Sequence, residues 1–546
     1  MVQKMLRYYQ TKGFRRFFRH LVSRVFGIEE MSYKRWNKIH RLSTKELKKQ
    51  SETVFEVQPR FSVFFLASKS SKERREEMIQ SIQKQTYQNW EICVDQPICQ
   101  ALQSAKGDFF VFLDPNGSLA PNALFECVTY INRYSVPDMI YTDEDQIDVD
   151  GKKYSHPQFK SGFNLDLLRS VDYISHFFVV KREIYEKIGY PNDEWREAQG
   201  YDYVLRCAEV SKKIIRVPLV LYHYKKTSGS RENEKVVLRE HLGRCGLSAD
   251  VKDNVDKVHR VYYHLSEEPM VSVIIPNKDH IEDLDRCIES LFHVSNYSNI
   301  EIIIVENNSL QKETFYYYRK IQEKYDNLKV LYWKEERGFN YSAINNFGVQ
   351  EASGKYLLFL NNDTEVIAED SIREMLSYAQ RKDVGIVGAR LYYPDETVQH
   401  AGVILGLGGV AGHAFKDVSK NDNGYCDRIV CVQDYSAVTA ACMLISKELF
   451  RNVKGFDVKL KVAFNDIDLC MKVRRMGLLV VYTPHAELYH YESKSRGLDD
   501  TEEKKKQYEK ESGYFIRKWN KELIEGDPYY NPNLTLEKHD FSLKIN

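Results

Sequence analysis

Apolar and polar positions in the second half of the chain alternate in two distinct periods. Residues 271–276, Val-Ser-Val-Ile-Ile-Pro, form the β-branched run that a strand buried on both faces requires. Leu284, Cys287, Ile288 and Leu291 then recur at helical spacing. Further strands are predicted at 301–305, 328–333 and 356–360, with helices near 312–325 and 341–351 between them. Strand and helix alternating at this interval predict an α/β fold with a doubly wound, mostly parallel sheet. Ligands of such sheets sit outside the carboxyl ends of the strands. Here those ends read Pro276-Asn277, Glu306-Asn307-Asn308 and Asn361-Asn362-Asp363, all polar.

The first half repeats the pattern with strands at 61–66, 90–94 and 109–113. Phe112-Leu113-Asp114-Pro115-Asn116 lies against Phe359-Leu360-Asn361-Asn362-Asp363. Gln199-Gly200-Tyr201 lies against Asn465-Asp466-Ile467, and Leu221-Tyr222-His223-Tyr224 against Leu488-Tyr489-His490-Tyr491. So aligned, Asp363 faces Asn116, Asp466 faces Gly200, and His490 matches His223. The first copy places only 17 residues between Trp90 and Asp108, where the second uses over fifty between Ile300 and Lys355. The expected organisation is an N-terminal segment 1–59, a degenerate copy 60–245, a connector 246–270 with one strand near 260–265, an intact copy 271–500, and a C-terminal helix and tail 501–546. The first copy is expected to lack chemistry and to bind acceptor, hold a homodimer or brace the second copy.

Composition adds limits. A hydrophobic content of 43% and a charged content of 29% are ordinary for a soluble globular chain. The net charge of +1 gives no bulk attraction for nucleic acid. Residues 1–50, however, carry 14 lysines and arginines against 3 acids. Within 3–28, Phe14, Phe17, Leu21 and Val25 recur at helical spacing, as in a basic amphipathic helix lying on an anionic membrane surface; a helix docked on its own protein is the alternative. Ten cysteines without a CxxC pair suit a reduced, cytoplasmic protein. With no long apolar run and no export signal, the expected place is the cytoplasmic face of the cell membrane.

Three residues could carry chemistry. Asp363 closes a buried strand, and a carboxylate there can hold a hard divalent cation; it also reads as a turn-forming Asp. Asp466 sits at a predicted helix start, as an N-cap or as a carboxylate base. His490 follows a predicted strand 478–482 and a short turn. An imidazole with a carboxylate suits manganese, although a lone histidine is more often a packing residue.

The ordered motifs Val-Ser-Val-Ile-Ile-Pro, Leu-Asn-Asn-Asp-Thr-Glu-Val, Phe-Asn-Asp-Ile-Asp-Leu-Cys and Tyr-His-Tyr-Glu-Ser-Lys-Ser-Arg-Gly resemble family 2 glycosyltransferases of the GT-A fold. The nearest subgroup is rhamnosyltransferase-like enzymes of bacterial cell-surface polysaccharide assembly, which the tail Gly526-Asp527-Pro528-Tyr529-Tyr530-Asn531 also resembles. The resemblance implies two tandem GT-A domains, the first degenerate. It implies Mn²⁺ or Mg²⁺ held by Asp363 and His490, with Asn361 at the position of the metal motif's first acid. Asp466 would be the catalytic base, with Asn465 replacing the family's Glu. Pro276, Asn277, Glu306, Asn308, Arg337, Asn345, Asn361 and Asn362 fall in segments that line the donor site, and Lys494 or Arg496 would help the departing diphosphate. The implied reaction is inverting transfer of a sugar, rhamnose being one candidate, from a nucleoside-diphosphate sugar to a lipid-linked or growing polysaccharide. Two other classes compete. One is a non-catalytic glycan- or nucleotide-binding scaffold. The other is a nucleotidyltransferase, which wants a Gly-rich loop that Pro276-Asn277-Lys278-Asp279 does not supply.

Overall fold

The structure is a computed structural model that describes residues 32–544 apart from 68, 95–97, 149, 226–231, 256–257, 334–338 and 492–500. Segment 3–28, Arg337, Lys494 and Arg496 lie outside the described residues.

Two large sheets follow one strand order. The first runs Trp90–Ile92, Phe61–Phe65, Phe109–Leu113, Phe177–Lys181, Met139–Ile147, Ile214–Tyr224, Gly117–Leu119. The second runs Leu328–Trp333, Ile300–Asn307, Val271–Asn277, Tyr356–Leu360, Cys442–Ser446, Val384–Tyr392, Leu479–His490, Thr364–Val366. Each sheet is mixed. Strands up to Phe109–Leu113 or Tyr356–Leu360 pair in parallel, and the next strand reverses direction. Past that reversal Met139–Ile147 and Ile214–Tyr224, and likewise Val384–Tyr392 and Leu479–His490, pair in parallel and run with the first half, so the expected mostly parallel sheet is found in both units.

Side-chain alternation explains why the strands form. Phe61, Val63 and Phe65 enter one core with helices Lys72–Gln83 and Ala123–Arg133, while Phe64 and Leu66 enter another. That second core continues without a break through Val271, Ile274, Leu358 and Leu444 of the second sheet. The strand Val271–Asn277 is buried at every position but Pro276, which fits its β-branched run. Among the described residues, helix Lys312–Lys324 and edge strand Leu328–Trp333 have no counterpart in the first sheet, which ends at Trp90–Ile92.

The segment between the sheets forms a hairpin, Ala249–Asp253 against His259–Tyr263. Tyr263 packs edge-on against Tyr378, and Arg260 donates to Glu374 at 2.8 Å. Nearby, Arg381 of the second unit pairs with Asp166 of the first at 2.5 Å, both side chains 1% exposed. Asn164 and Asp434 exchange reciprocal amide hydrogen bonds of 2.8 and 3.0 Å.

The tail after helix Asn520–Glu525 ties both units together. Asn531 Nδ2 donates to the Asp143 carboxylate and to the Lys160 carbonyl, and Asn533 Nδ2 donates to the Pro218 carbonyl. On the other side Asp527 accepts from the Leu405 amide, and Phe541 stacks on Phe415 at 4.4 Å. Among the described residues no helix is long and apolar enough to cross a membrane.

Candidate functional site

The second sheet delivers its polar strand ends to one place. Asp363 follows strand Tyr356–Leu360, and the next three residues pair with the end of strand Leu479–His490, Thr364 opposite His490. This register sets His490 Nε2 3.1 Å from Asp363 Oδ1 and 3.2 Å from Asn361 Nδ2. The opposite ring nitrogen, Nδ1, donates to Gln399 Oε1 at 2.6 Å. Burial pushes the Asp363 carboxyl up, but the hydrogen bond and charge of His490 outweigh it, so the group titrates below the usual carboxylate range. His490 lies at the end of one continuous strand and not after a turn beyond 482 as expected; the ladder to Val384–Tyr392 shifts between Thr483 and Glu487, spanning Pro484.

The donor set fits a divalent cation. A proton on Nε2 bridges the ring to the carboxylate; with the Nδ1 proton committed to Gln399, a divalent cation would take the place of that Nε2 proton, leaving a lone pair and a carboxylate oxygen as its ligands. Two acceptors 3.1 Å apart are satisfied by a cation between them. Asn361 adds an amide at the same point, in place of the acid found in many members of the resembled family.

A hydrogen-bonded chain lines the adjoining strand ends. Asn362 Nδ2 donates to Asn277 Oδ1 at 2.6 Å, and Asn277 Nδ2 donates to the Tyr318 hydroxyl at 2.8 Å. Tyr318 in turn donates to Glu306, which also accepts from the Ser309 hydroxyl, both at 2.6 Å. Asn277, Glu306 and Asn362 are thus one network. Asn308 is exposed beside it in a left-handed conformation, and Pro276 is half-buried. Asn345 is fully buried on helix Tyr341–Gln350; its amide donates to the Tyr341 carbonyl and its Oδ1 has no partner.

Asp466 is the second residue of helix Asn465–Arg475, and the N-cap is Phe464 in a left-handed conformation. The N-cap reading of Asp466 is therefore wrong. Its Oδ1 accepts from the Ile467 amide at 2.8 Å and its Oδ2 from the Ala440 amide at 3.3 Å. Burial raises its pKa against these bonds. Asp363 and Asp466 share a neighbour in Tyr341, whose hydroxyl pKa is raised by burial and by the charge of both carboxylates. Asp468, two residues on, is fully buried and bound by Trp519 Nε1 at 2.8 Å and Lys518 Nζ at 2.7 Å, so it anchors the helix. Glu511 accepts from the amides of Lys461, Val462 and Ala463 at 2.6–3.1 Å and shapes the turn before Asp466.

The first sheet departs at each point. Asn116 Oδ1 accepts from Arg74 Nη1 at 2.9 Å, and its amide donates to Asp114 Oδ1 at 2.9 Å. A guanidinium stands where the second sheet has a carboxylate–imidazole pair. A Cβ on Gly200 would meet Leu66 Cδ1 and Ser175 Cβ, both at 3.0 Å. The expected match of His223 with His490 is also corrected. Gly117 pairs with Tyr224 where Thr364 pairs with His490, so Tyr224 is the counterpart of His490. His223, one position earlier, points to the other face. There Asp145 accepts from His223 Nδ1 and from the Tyr33 hydroxyl, both at 2.5 Å, and helix Tyr33–His40 packs its Trp36 on Phe159. His223 thus reaches that helix only through Asp145, the carboxylate that accepts from Tyr33.

Sequence reading missed Gln399, Tyr341 and Glu511. None belongs to a spaced motif, and each is tied to the site by contacts from distant parts of the chain.

Among curated relatives, the chain is 38% identical over 518 residues to the uncharacterized protein y4gI of Sinorhizobium fredii, covering 86% of this chain and 56% of that protein. It is 36% identical over 462 residues to the O-antigen biosynthesis protein RfbC of Myxococcus xanthus, covering 82% of this chain and 35% of that one. The chain thus spans about half of the first relative's length and about a third of the second's. A solved structure, GalNAc-T7 with UDP, GalNAc and Mn²⁺, overlaps at a TM-score of 0.40 with 15% identity over 50% of this chain and 52% of that one, too slight a likeness to argue from. Residues 272–451, which hold Asp363, Asn277, Glu306 and Tyr341, match the family described as Glycosyl transferase family 2, and the chain therefore carries a family 2 glycosyl transferase domain.

Proposed function

We propose that the second unit transfers a sugar, with inversion, from a nucleoside-diphosphate sugar to a hydroxyl of a lipid-linked or growing cell-surface polysaccharide. The observation that carries this reading is the pairing of Asp363 with His490 at the carboxyl ends of the strands, within reach of a neighbourhood shared with Asp466. The relative named for O-antigen biosynthesis supports a cell-surface glycan as acceptor, rhamnose being one candidate sugar.

Asp363 and His490 would hold Mn²⁺ or Mg²⁺, which supplies positive charge against the donor's diphosphate. The network of Asn362, Asn277, Tyr318 and Glu306 offers fixed donors and acceptors to the nucleoside. Asp466 accepts the proton of the acceptor hydroxyl. The freed oxygen attacks the anomeric carbon from the side opposite the diphosphate. The carbon–oxygen bond to the diphosphate breaks, and its electron pair leaves with the nucleoside diphosphate.

A thermal-shift and product-release screen of nucleotide sugars, with and without Mn²⁺, tests the reading. At least one donor should raise the melting temperature only with Mn²⁺ and release nucleoside diphosphate, and Asp363→Ala should abolish both effects. Stabilisation without turnover, whatever acceptor is supplied, would favour a binding scaffold. No response to any nucleotide sugar would overturn the proposal.

A further inference from the structure

The buried amide of Gln399 plays no part in the reaction above, yet it touches the histidine of the site. Gln399 is 3% exposed and sits on the short strand Val398–His400, which pairs with the end of Val384–Tyr392. Its Oε1 is 2.6 Å from His490 Nδ1. An amide oxygen only accepts, so this contact keeps a proton on Nδ1, and the nitrogen that gives up its proton to a cation is Nε2, the one directed at Asp363. Histidines that bind metals are oriented by such a partner on their other nitrogen.

Gln399 is itself held in place. Its carbonyl accepts from His413 Nδ1 at 3.1 Å, the His413 carbonyl accepts from His539 Nδ1 at 2.6 Å, and the His539 carbonyl accepts from the Phe415 amide at 2.7 Å. The C-terminal tail therefore braces the strand that carries the amide.

We infer that Gln399 is a positioning residue for divalent-cation binding: by accepting the Nδ1 proton of His490 it sets the tautomer and ring plane that make Nε2 a ligand. The inference rests on the reading of Asp363 and His490 as the cation site. Substitution should act on metal binding before any donor or acceptor is present.

The test is Mn²⁺ affinity of the full chain with the metal alone, followed by the loss of the free-ion EPR signal. Gln399→Leu, near in volume but without an acceptor, should weaken Mn²⁺ binding roughly 10–100-fold. Gln399→Glu, which also accepts at Nδ1, should bind at wild-type strength or tighter. A folding defect would move both variants together, and circular dichroism with thermal melting checks for it. Wild-type affinity in a folded Gln399→Leu, or equal loss in Gln399→Glu, overturns the proposal while leaving the cation site standing, provided Asp363→Ala loses Mn²⁺. If Asp363→Ala binds Mn²⁺ as the wild type does, the cation reading falls and the role of Gln399 falls with it.

Discussion

Burial pushes the Asp466 carboxyl up, the amides of Ile467 and Ala440 and the side chain of Thr439 pull it down, and burial prevails. A carboxyl whose folded pKa exceeds its unfolded value contributes stability at low pH and loses it as pH rises through the folded value. At neutral pH its charged form is a liability for the fold and an asset for accepting a proton. Asp466→Asn should therefore melt at the wild-type temperature or above at pH 7 while turnover falls roughly 10²–10⁴-fold. A folded mutant with wild-type turnover would remove Asp466 from the role of base. The acid limb of the wild-type pH–rate profile should likewise lie above the ordinary carboxylate range. The first unit cannot be repaired by restoring the acid. Gly200→Asp would drive its Cβ into Leu66 and Ser175, and denaturant titration should show a loss of about 1–3 kcal/mol. A gain of a second, Asp363-independent activity would contradict this.

At the scale of elements, helix Glu502–Lys518 supports the helix that carries Asp466 through Glu511, Lys518 and the adjoining Trp519. Glu511→Ala removes the acceptor of three amides in the turn before Asp466 and should cost about 1–3 kcal/mol by denaturant titration, with a fall in kcat. Unchanged stability would show that water replaces Glu511 fully. The strands that local pattern defines were legible: 271–276, 328–333 and 356–360 are read from β-branched and aromatic runs and are found there. The C-terminal end of Leu479–His490 was not, because Pro484 looks like a turn and sits instead at a ladder irregularity. The shared Leu-Tyr-His-Tyr motif also misled. Pro218 and Pro484 occupy equal places in the two strands, and counting from them brings Tyr224, not His223, onto His490. Similar letters one residue apart face opposite sides of a sheet, and only the ladder shows which. Gln399 and Glu511 were invisible for a related reason, since their partners lie 91 and about 50 residues away.

In the whole molecule the two units meet through buried charge. Arg381 holds the Asp166 carboxyl down against burial, while burial and the nearby Asp166 push Asp434 well up. Asp166 contributes stability above the ordinary carboxylate range and loses it as pH falls; Asp434 contributes at low pH and loses it as pH rises through its raised value. Arg381→Met would leave the Asp166 charge with only Arg169, 3.6 Å away, and should cost up to about 3–5 kcal/mol at pH 7. Asp434→Asn, which puts a neutral amide where burial disfavours a charged carboxylate, should cost much less and flatten the decline of stability at rising pH. Equal effects of the two in thermal melts across pH would refute this division of roles. The tail has a further consequence, in time. Asp143 is buried in the first unit and pushed up to about 6 by burial although Arg216 and Asn531 oppose it, and Asn531 lies 388 residues later. At synthesis rates of roughly 5–20 residues per second, the first unit waits roughly 20–80 s on the ribosome for that amide. During this interval its acid must stay protonated or wet, so a unit made well before its tail is among the last to reach its final form.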